Sequence, residues 1–181
     1  WDVLNRLTQV THGSMTVKYD YNVFGERIRK TIEGDTTGYV MPWITPMMTR
    51  KNGTVDKIYT LSPCGLNRVV SVRDGNDDYF YHYDPIGNIM FMTDSSGNIV
   101  TEYVQEGFGN LLFSKGTSDN LLHLTGKEWD PEVQLYYFGA RWYNPEIGRW
   151  LSREPYKIDG PNLYQYTFND PINGYDEDGY Y

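Results

Sequence analysis

Glycine falls on a clock in this chain. Gly13 and Gly25 are twelve residues apart, as are Gly53 and Gly65, Gly75 and Gly87, and Gly97 and Gly109. The steps from Gly65 to Gly75 and from Gly87 to Gly97 are ten. This alternation makes a unit of about 22 residues, and a fixed period of that size is the mark of a repeated supersecondary element. The neighbourhood of each glycine says which element. "DPIGNIMFMTDSSGNIVTEYVQEGFGNLL" sets Gly-Asn behind turn formers at 87, 97 and 109. A turn that needs positive φ takes Gly or Asn most readily. Turns so spaced leave about 6 to 8 residues for each strand, the usual strand length. "YFYHYD" (79–84) and "NIVTEYV" (98–104) carry aromatic or β-branched residues at every second place, as a half-buried strand does. The spacing predicts antiparallel hairpins from Trp1 to about Leu124.

One stretch breaks the clock. In "EGDTTGYVMPWITPMMTR", Pro42 and Pro46 cannot donate to a ladder, so residues 34–50 are predicted to be a loop or an edge insertion. No segment sustains apolar residues at helical spacing for three turns, and seventeen Tyr among 181 residues suit aromatic strands. The fold class is therefore read as all-β. The tyrosines are read as cross-strand packing pairs rather than as a sugar-binding platform.

Several functions are disfavoured. The net charge is −8 and no Lys/Arg cluster could grip phosphates, so no nucleic acid partner is expected. No apolar run approaches the ~20 residues of a spanning helix. Cys64 stands alone, and His12, His82 and His123 lack ligand spacing, so neither a metal nor a cofactor is expected. Asn52-Gly53-Thr54 fits a glycosylation sequon but lies on a turn glycine, and "GFGNLL" lacks the third glycine and helix of a nucleotide loop. The chain opens at Trp1 with no basic segment followed by an apolar one, so any targeting signal is expected to have been removed or to lie upstream.

The tyrosine–aspartate–two residues–glycine pattern of "YHYDPIGN", with degenerate copies at "YNVFGERI", "SPCGLNRVVSV" and "QEGFGNLL", resembles the YD repeat of the Rhs/YD-repeat proteins. The stretch "LTGKEWDPEVQLYYFGARWYNPEIGRWLSREPYKIDGPNLYQYTFNDPINGYDEDGY" is similar to the Rhs repeat-associated core domain. The resemblance implies a spiral shell of hairpins enclosing a C-terminal toxin or effector, as in bacterial polymorphic toxins and the C subunits of toxin complexes. Residues 1–124 would be a piece of wall and residues 125–181 the core or plug. The partners would be the chain's own toxin cargo and the rest of the shell, and the setting secreted or cell-surface in a bacterium. A surface adhesion or carbohydrate-binding module is the alternative. An open piece of wall has two unpaired edges, so oligomerisation through an edge strand, or shielding by residues 34–50, is expected.

The resemblance also implies a self-cleavage site. In such cores an arginine and two aspartates act at the scissile bond. The arginine matches Arg141. The residue after it is Trp142 rather than aspartate, and the second position is Glu154, one methylene longer. "DEDGY" matches the cleavage motif through Asp176, Asp178, Gly179 and Tyr180, and an intramolecular aspartyl-type protease would cut between Tyr180 and Tyr181 and so release the cargo. Two carboxyls held close share one proton, one activating water and one protonating the leaving amine. Asp159, Asp170, Asp176 and Asp178 could supply the missing acid, although Asp is common in turns for conformational reasons. Asn162, Leu163, Tyr164 and Tyr166 are expected to anchor the terminal segment against this pocket.

Overall fold

The computed structural model describes residues 1–42, 44–63, 68–157 and 161–180. Eleven strands form one antiparallel sheet: β1 (Gln9–His12), β2 (Met15–Tyr21), β3 (Arg27–Ile32), β4 (Asp35–Val40), β5 (Met48–Lys51), β6 (Thr54–Leu61), β7 (Val69–Asp74), β8 (Asp77–Tyr83), β9 (Ile89–Asp94), β10 (Ile99–Gln105) and β11 (Leu111–Gly116). Their order in the sheet is their order in the chain. A second antiparallel sheet of four short strands follows: β12 (Glu128–Asp130), β13 (Leu135–Tyr137), β14 (Trp142–Asn144) and β15 (Arg149–Trp150). Among the described residues, no helix is long and apolar enough to cross a membrane.

The glycine clock is a clock of turns. Gly13, Gly25, Gly53, Gly75, Gly87, Gly97 and Gly109 all lie between strands with positive φ; Gly65 lies outside the described residues. Two kinds of turn recur. The tight kind has two residues, and at Asn52-Gly53 both φ values are positive (48° and 86°), the geometry that matches strand twist. The longer kind follows the YD motif. At Asp84, Oδ1 accepts the amides of Ile86, Gly87 and Asn88 at 3.0, 2.8 and 2.9 Å, while Asn88 Nδ2 donates to Oδ2 at 2.7 Å. Asp94 and Asn22 wrap their own loops in the same manner. One carboxylate thus satisfies the loop amides that no ladder can reach. Register then slips by one residue, for example where Tyr83 meets Ile89, so each long turn ends in a bulge that bends the wall.

Strand alternation aims Tyr59, Tyr79, Tyr81, Tyr83 and Tyr103 at one face, where Tyr81, Val72, Ile89 and Met92 form a core beneath Leu122. A second core joins Val17 and Tyr19 of the wall to Leu135, Tyr137 and Trp142 of the small sheet. A third, Leu124, Tyr136, Phe138, Tyr143, Trp150 and Tyr166, belongs to the C-terminal part.

Charge also fastens the two sheets. The fully buried Arg27 meets Glu128 at 2.7 Å and lies over the rings of Tyr39 and Tyr137 at 4.1 and 4.4 Å. Tyr19 donates to Asp130 at 2.8 Å, and Lys30 pairs with the same carboxylate at 2.8 Å.

The expected insertion at 34–50 is corrected. Residues 35–40 and 48–51 are β4 and β5, and the connection between them is confined to 41–47. Both prolines lie in that connection, so neither is asked to donate to a ladder. The loop is interior to the strand order and shields no edge; β1 and β11 are the outer strands, and all six residues of β11 are exposed. The loop turns inward instead, burying Ile44 and Thr45.

Candidate functional site

The β13–β14 connection, Phe138-Gly139-Ala140-Arg141, is a tight turn in which Phe138 N donates to Arg141 O at 3.0 Å and Gly139 takes φ of 94°. Gly139 is required twice over, because a Cβ there would also lie 2.9 Å from Ile44 Cγ1 and 3.3 Å from Asp178 O. The turn thus holds the 41–47 loop on one side and the terminal segment on the other. It also buries Arg141, whose guanidinium carbon lies over Trp150 at 4.0 Å from the ring centre.

Arg141 reaches the terminal segment at two points. Nε donates to the carbonyl of Gly179 at 2.5 Å, and Nη2 pairs with Asp176 Oδ2 at 3.0 Å. Both partners of the ion pair are buried, about 1% of each side chain being exposed, so its electrostatics are little screened. Asp176 Oδ1 accepts the amides of Gly179 (2.8 Å) and Asp178 (3.2 Å), folding the segment into a turn. Ala140 N donates to Asp178 O at 3.0 Å. Gly179 adopts φ of +78°, where a Cβ would meet Arg141 N at 3.0 Å and Phe138 Cβ at 3.2 Å.

Glu154 is buried, and its Oε1 accepts the amide of Tyr156 at 2.6 Å. Tyr156 in turn stacks on Tyr180, ring centres 5.2 Å apart. Glu154 N donates to Leu163 O, and Trp150 N to Tyr164 O, so the Asn-Leu-Tyr stretch runs beside this wall. Of the expected anchors Tyr166 is buried, whereas Tyr164 is 37% exposed. The structure therefore brings Arg141, Asp176, Asp178, Gly179 and Tyr180 together, with Glu154 one stacked ring away. Tyr181 and Asp159 lie outside the described residues.

Three positions have other occupations. Asp170 is exposed and closes its own turn, with Asn173 Nδ2 at 3.0 Å and Gly174 N on its carbonyl. Trp142, where the resemblance would place an aspartate, is packed between Tyr19 and Tyr137 and donates to Tyr21 OH at 3.1 Å. An acid there would vacate the core that joins the two sheets. The third is Lys127, which sequence reading passed over. It is buried, lies 5.5 Å from the centre of the Phe138 ring, and Nζ donates to Thr125 O at 3.3 Å. Burial pushes its amine down to about 8, against the pull of Glu177, Asp176 and Asp178. Burial raises Glu177, with Lys127 opposing. The acidic end thus sits against two buried cations. Nothing in the periodic pattern marks Lys127, because its burial depends on a fold-back that local sequence does not encode.

The teneurin YD-shell family model matches residues 48–172. Toxin subunit YenC2 of Yersinia entomophaga is 48% identical over 56 residues, which is 30% of this chain and 6% of that protein. Toxin protein Tse5 of Pseudomonas aeruginosa is 41% identical over 59 residues, 32% of this chain and 4% of Tse5. The chain thus matches only a small fraction of the length of these relatives. Among solved structures, TcdB2-TccC3 without its hypervariable C-terminal region superposes with a TM-score of 0.78 at 25% identity, over 99% of this chain and 10% of the other. The Photorhabdus luminescens Tc holotoxin pore carrying a TccC3 mutation gives the same TM-score, identity and coverage. With residues 48–172, more than half of its length, matched by the family model, this chain belongs to the teneurin YD-shell family.

Proposed function

We propose that this chain is the closing stretch of a shell in a secreted or cell-surface bacterial toxin, that the shell encloses a C-terminal toxin cargo, and that the segment Asp176–Tyr180 is where the cargo is cut free. Residues 1–124 act as wall and residues 125–181 as plug. The observation that carries the reading is the clamp on the terminal segment. A solvent-exposed segment would have no need of a buried arginine on the Gly179 carbonyl, nor of a glycine held at φ +78° there.

In this reading Arg141 is the positioning residue, fixing Gly179 so that the Tyr180 carbonyl is presented on the Glu154 side. Glu154 takes a proton from water as its oxygen attacks that carbonyl carbon. The C–N bond to Tyr181 breaks, and the same proton passes to the departing amine. Holding the bond in one geometry is the main contribution such a site can make.

The test is the intact mass of a chain extended past Tyr181 by its natural residues. Two fragments parted at Tyr180–Tyr181 are expected, and Glu154→Gln should remain whole while folded. If the extended wild type and Glu154→Asp both stay uncut, self-processing is lost from the proposal and the shell-and-plug role stands alone. Trp142→Asp is a poor probe, since it would empty a core position worth about 3–5 kcal/mol.

A further inference from the structure

We propose that Tyr156 is the specificity-determining residue of the terminal clamp: it selects an aromatic side chain at position 180, directly before the proposed cut. Its catalytic consequence rests on the self-processing proposed above, whereas the selection itself is a property of docking. The two rings lie 5.2 Å apart with 24° between their planes. Such a near-parallel stack falls in the range that aromatic pairs favour, and it rewards a flat partner over an aliphatic one of similar size.

Each ring is placed by its own backbone before the two meet. Glu154 Oε1 accepts the Tyr156 amide at 2.6 Å, and Lys157 follows at φ of +57°, so the chain turns tightly at Tyr156. Pro155, between the acid and the ring, has its φ fixed by its own pyrrolidine. On the other side, Asp178 Oδ1 accepts the Tyr180 amide at 3.2 Å, while Arg141 Nε holds the Gly179 carbonyl at 2.5 Å. The stack therefore joins two preformed local structures, and little freedom is lost in making it. Burial, with Tyr156 and Asp178 adding to it, raises the Tyr180 phenol, so the pair meets as neutral rings.

The side chain at 180 leaves the same Cα as the carbonyl that would be attacked. Arg141 steadies that Cα from the Gly179 side and Tyr156 from the ring side, so the freedom left to the Tyr180 carbonyl is mainly rotation about its own Cα–C bond. An aliphatic side chain could fill the space but would let the residue swivel, and a misplacement of about 1 Å can cost about 100-fold in rate. Ring and acid are also tied together. The carboxylate proposed to activate water is the group that braces the Tyr156 amide, so position 180 is measured against the same short segment that carries the acid. Tyr156 is itself 58% exposed, and its replacement empties no core position.

The test reads hydrogen exchange of the amides of residues 178–180 in the 181-residue chain. Tyr156→Leu and Tyr180→Leu should each weaken protection by about three- to tenfold, whereas Tyr156→Phe and Tyr180→Phe should keep it. The double leucine variant should lose little more than either single one, because both remove the same contact. Tyr156→Leu should leave the melting temperature unchanged. The selection is overturned if the leucine variants keep full protection, if their two losses simply multiply, or if phenylalanine is as damaging as leucine. A fall in melting temperature large enough to explain the lost protection would overturn it as well. In a chain extended past Tyr181 by its natural residues, cleavage should be faster for the wild type and Tyr180→Phe than for Tyr180→Leu, and Tyr156→Leu should level that difference. Equal cutting of wild type and Tyr180→Leu would overturn the selection and leave self-processing standing. An extended chain that is never cut would remove self-processing, and the exchange experiment would still decide the selection.

Discussion

Gly179→Ala should release the end of the chain without unfolding the rest. The glycine sits at φ +78°, and a Cβ built there falls 3.0 Å from the backbone nitrogen of Arg141 and 3.2 Å from Phe138 Cβ. A left-handed backbone costs an ordinary residue about 1–2 kcal/mol. The nearest obstacle is backbone, which cannot rotate aside as a flexible side chain could, and such overpacking adds about 1–3 kcal/mol. The sum is about 2–5 kcal/mol. Against it stand the hydrogen bond from Ala140, worth about 0.5–1.5 kcal/mol, and the Arg141 contacts to Gly179 and Asp176, about 1.5–3 kcal/mol each because a charge is involved. The opposing terms are of the same size, so docking should fall from dominant to comparable with undocking, a loss of about 30-fold or more. Hydrogen exchange of the amides of residues 178–180, read by mass spectrometry on C-terminal peptides, measures this directly. Gly107→Ala is the control, since it has no positive φ and its nearest neighbour would be 3.5 Å away. The reasoning fails if Gly179→Ala leaves terminal protection within about twofold of wild type (under 0.5 kcal/mol), or if Gly107→Ala disturbs it equally.

Two further outcomes follow from the joint between the sheets. Arg27→Met should cost about 3–5 kcal/mol in denaturant unfolding, because it strands Glu128 in a buried place; adding Glu128→Gln should recover part of the loss, and strictly additive costs would contradict the pairing. Burial pushes His123 down to about 4 from an ordinary 6.5. As pH falls from about 6.5 towards 4 the unfolded chain therefore takes up a proton that the folded chain refuses. Stability drops across that window by about 3 kcal/mol and levels off below it, and His123→Phe should flatten that part of the pH–stability curve.

The wall was legible in the sequence because each of its rules is local. Seven turn glycines fall where the spacing sets them, since a positive φ and the Asp84-type wrap depend on five consecutive residues. The 34–50 stretch holds strands at Asp35–Val40 and Met48–Lys51 because a proline excludes the ladder at its own position and not at its neighbours. At the site, the resemblance brought Arg141, Asp176 and Gly179 into one list, but their geometry comes from contacts such as Arg141 with Asp176, 35 residues apart. Lys127 and Ile44 carried no local mark at all. Trp142 departs from the catalytic pattern in sequence, but its burial against Tyr19 on the wall depends on a contact 123 residues away that no local pattern encodes.

The strand order has a consequence for how the molecule is made. Each strand from β2 to β11 pairs with the one synthesised just before it, so the wall can zip up in the order it leaves the ribosome, with every new hairpin closing only a short loop. The small sheet obeys a different schedule. Its Asp130 must find Tyr19 across 111 residues, and its Tyr137 the amide of Arg27 across 110, by which time the wall already exists as a template. Until those late partners land, the tyrosine face stays wet and sticky. A nascent chain stalled between Gly116 and Trp150 would thus be the species that chaperones meet and that aggregates, and hairpins could be added to or removed from the middle of the wall over evolutionary time without altering that last step.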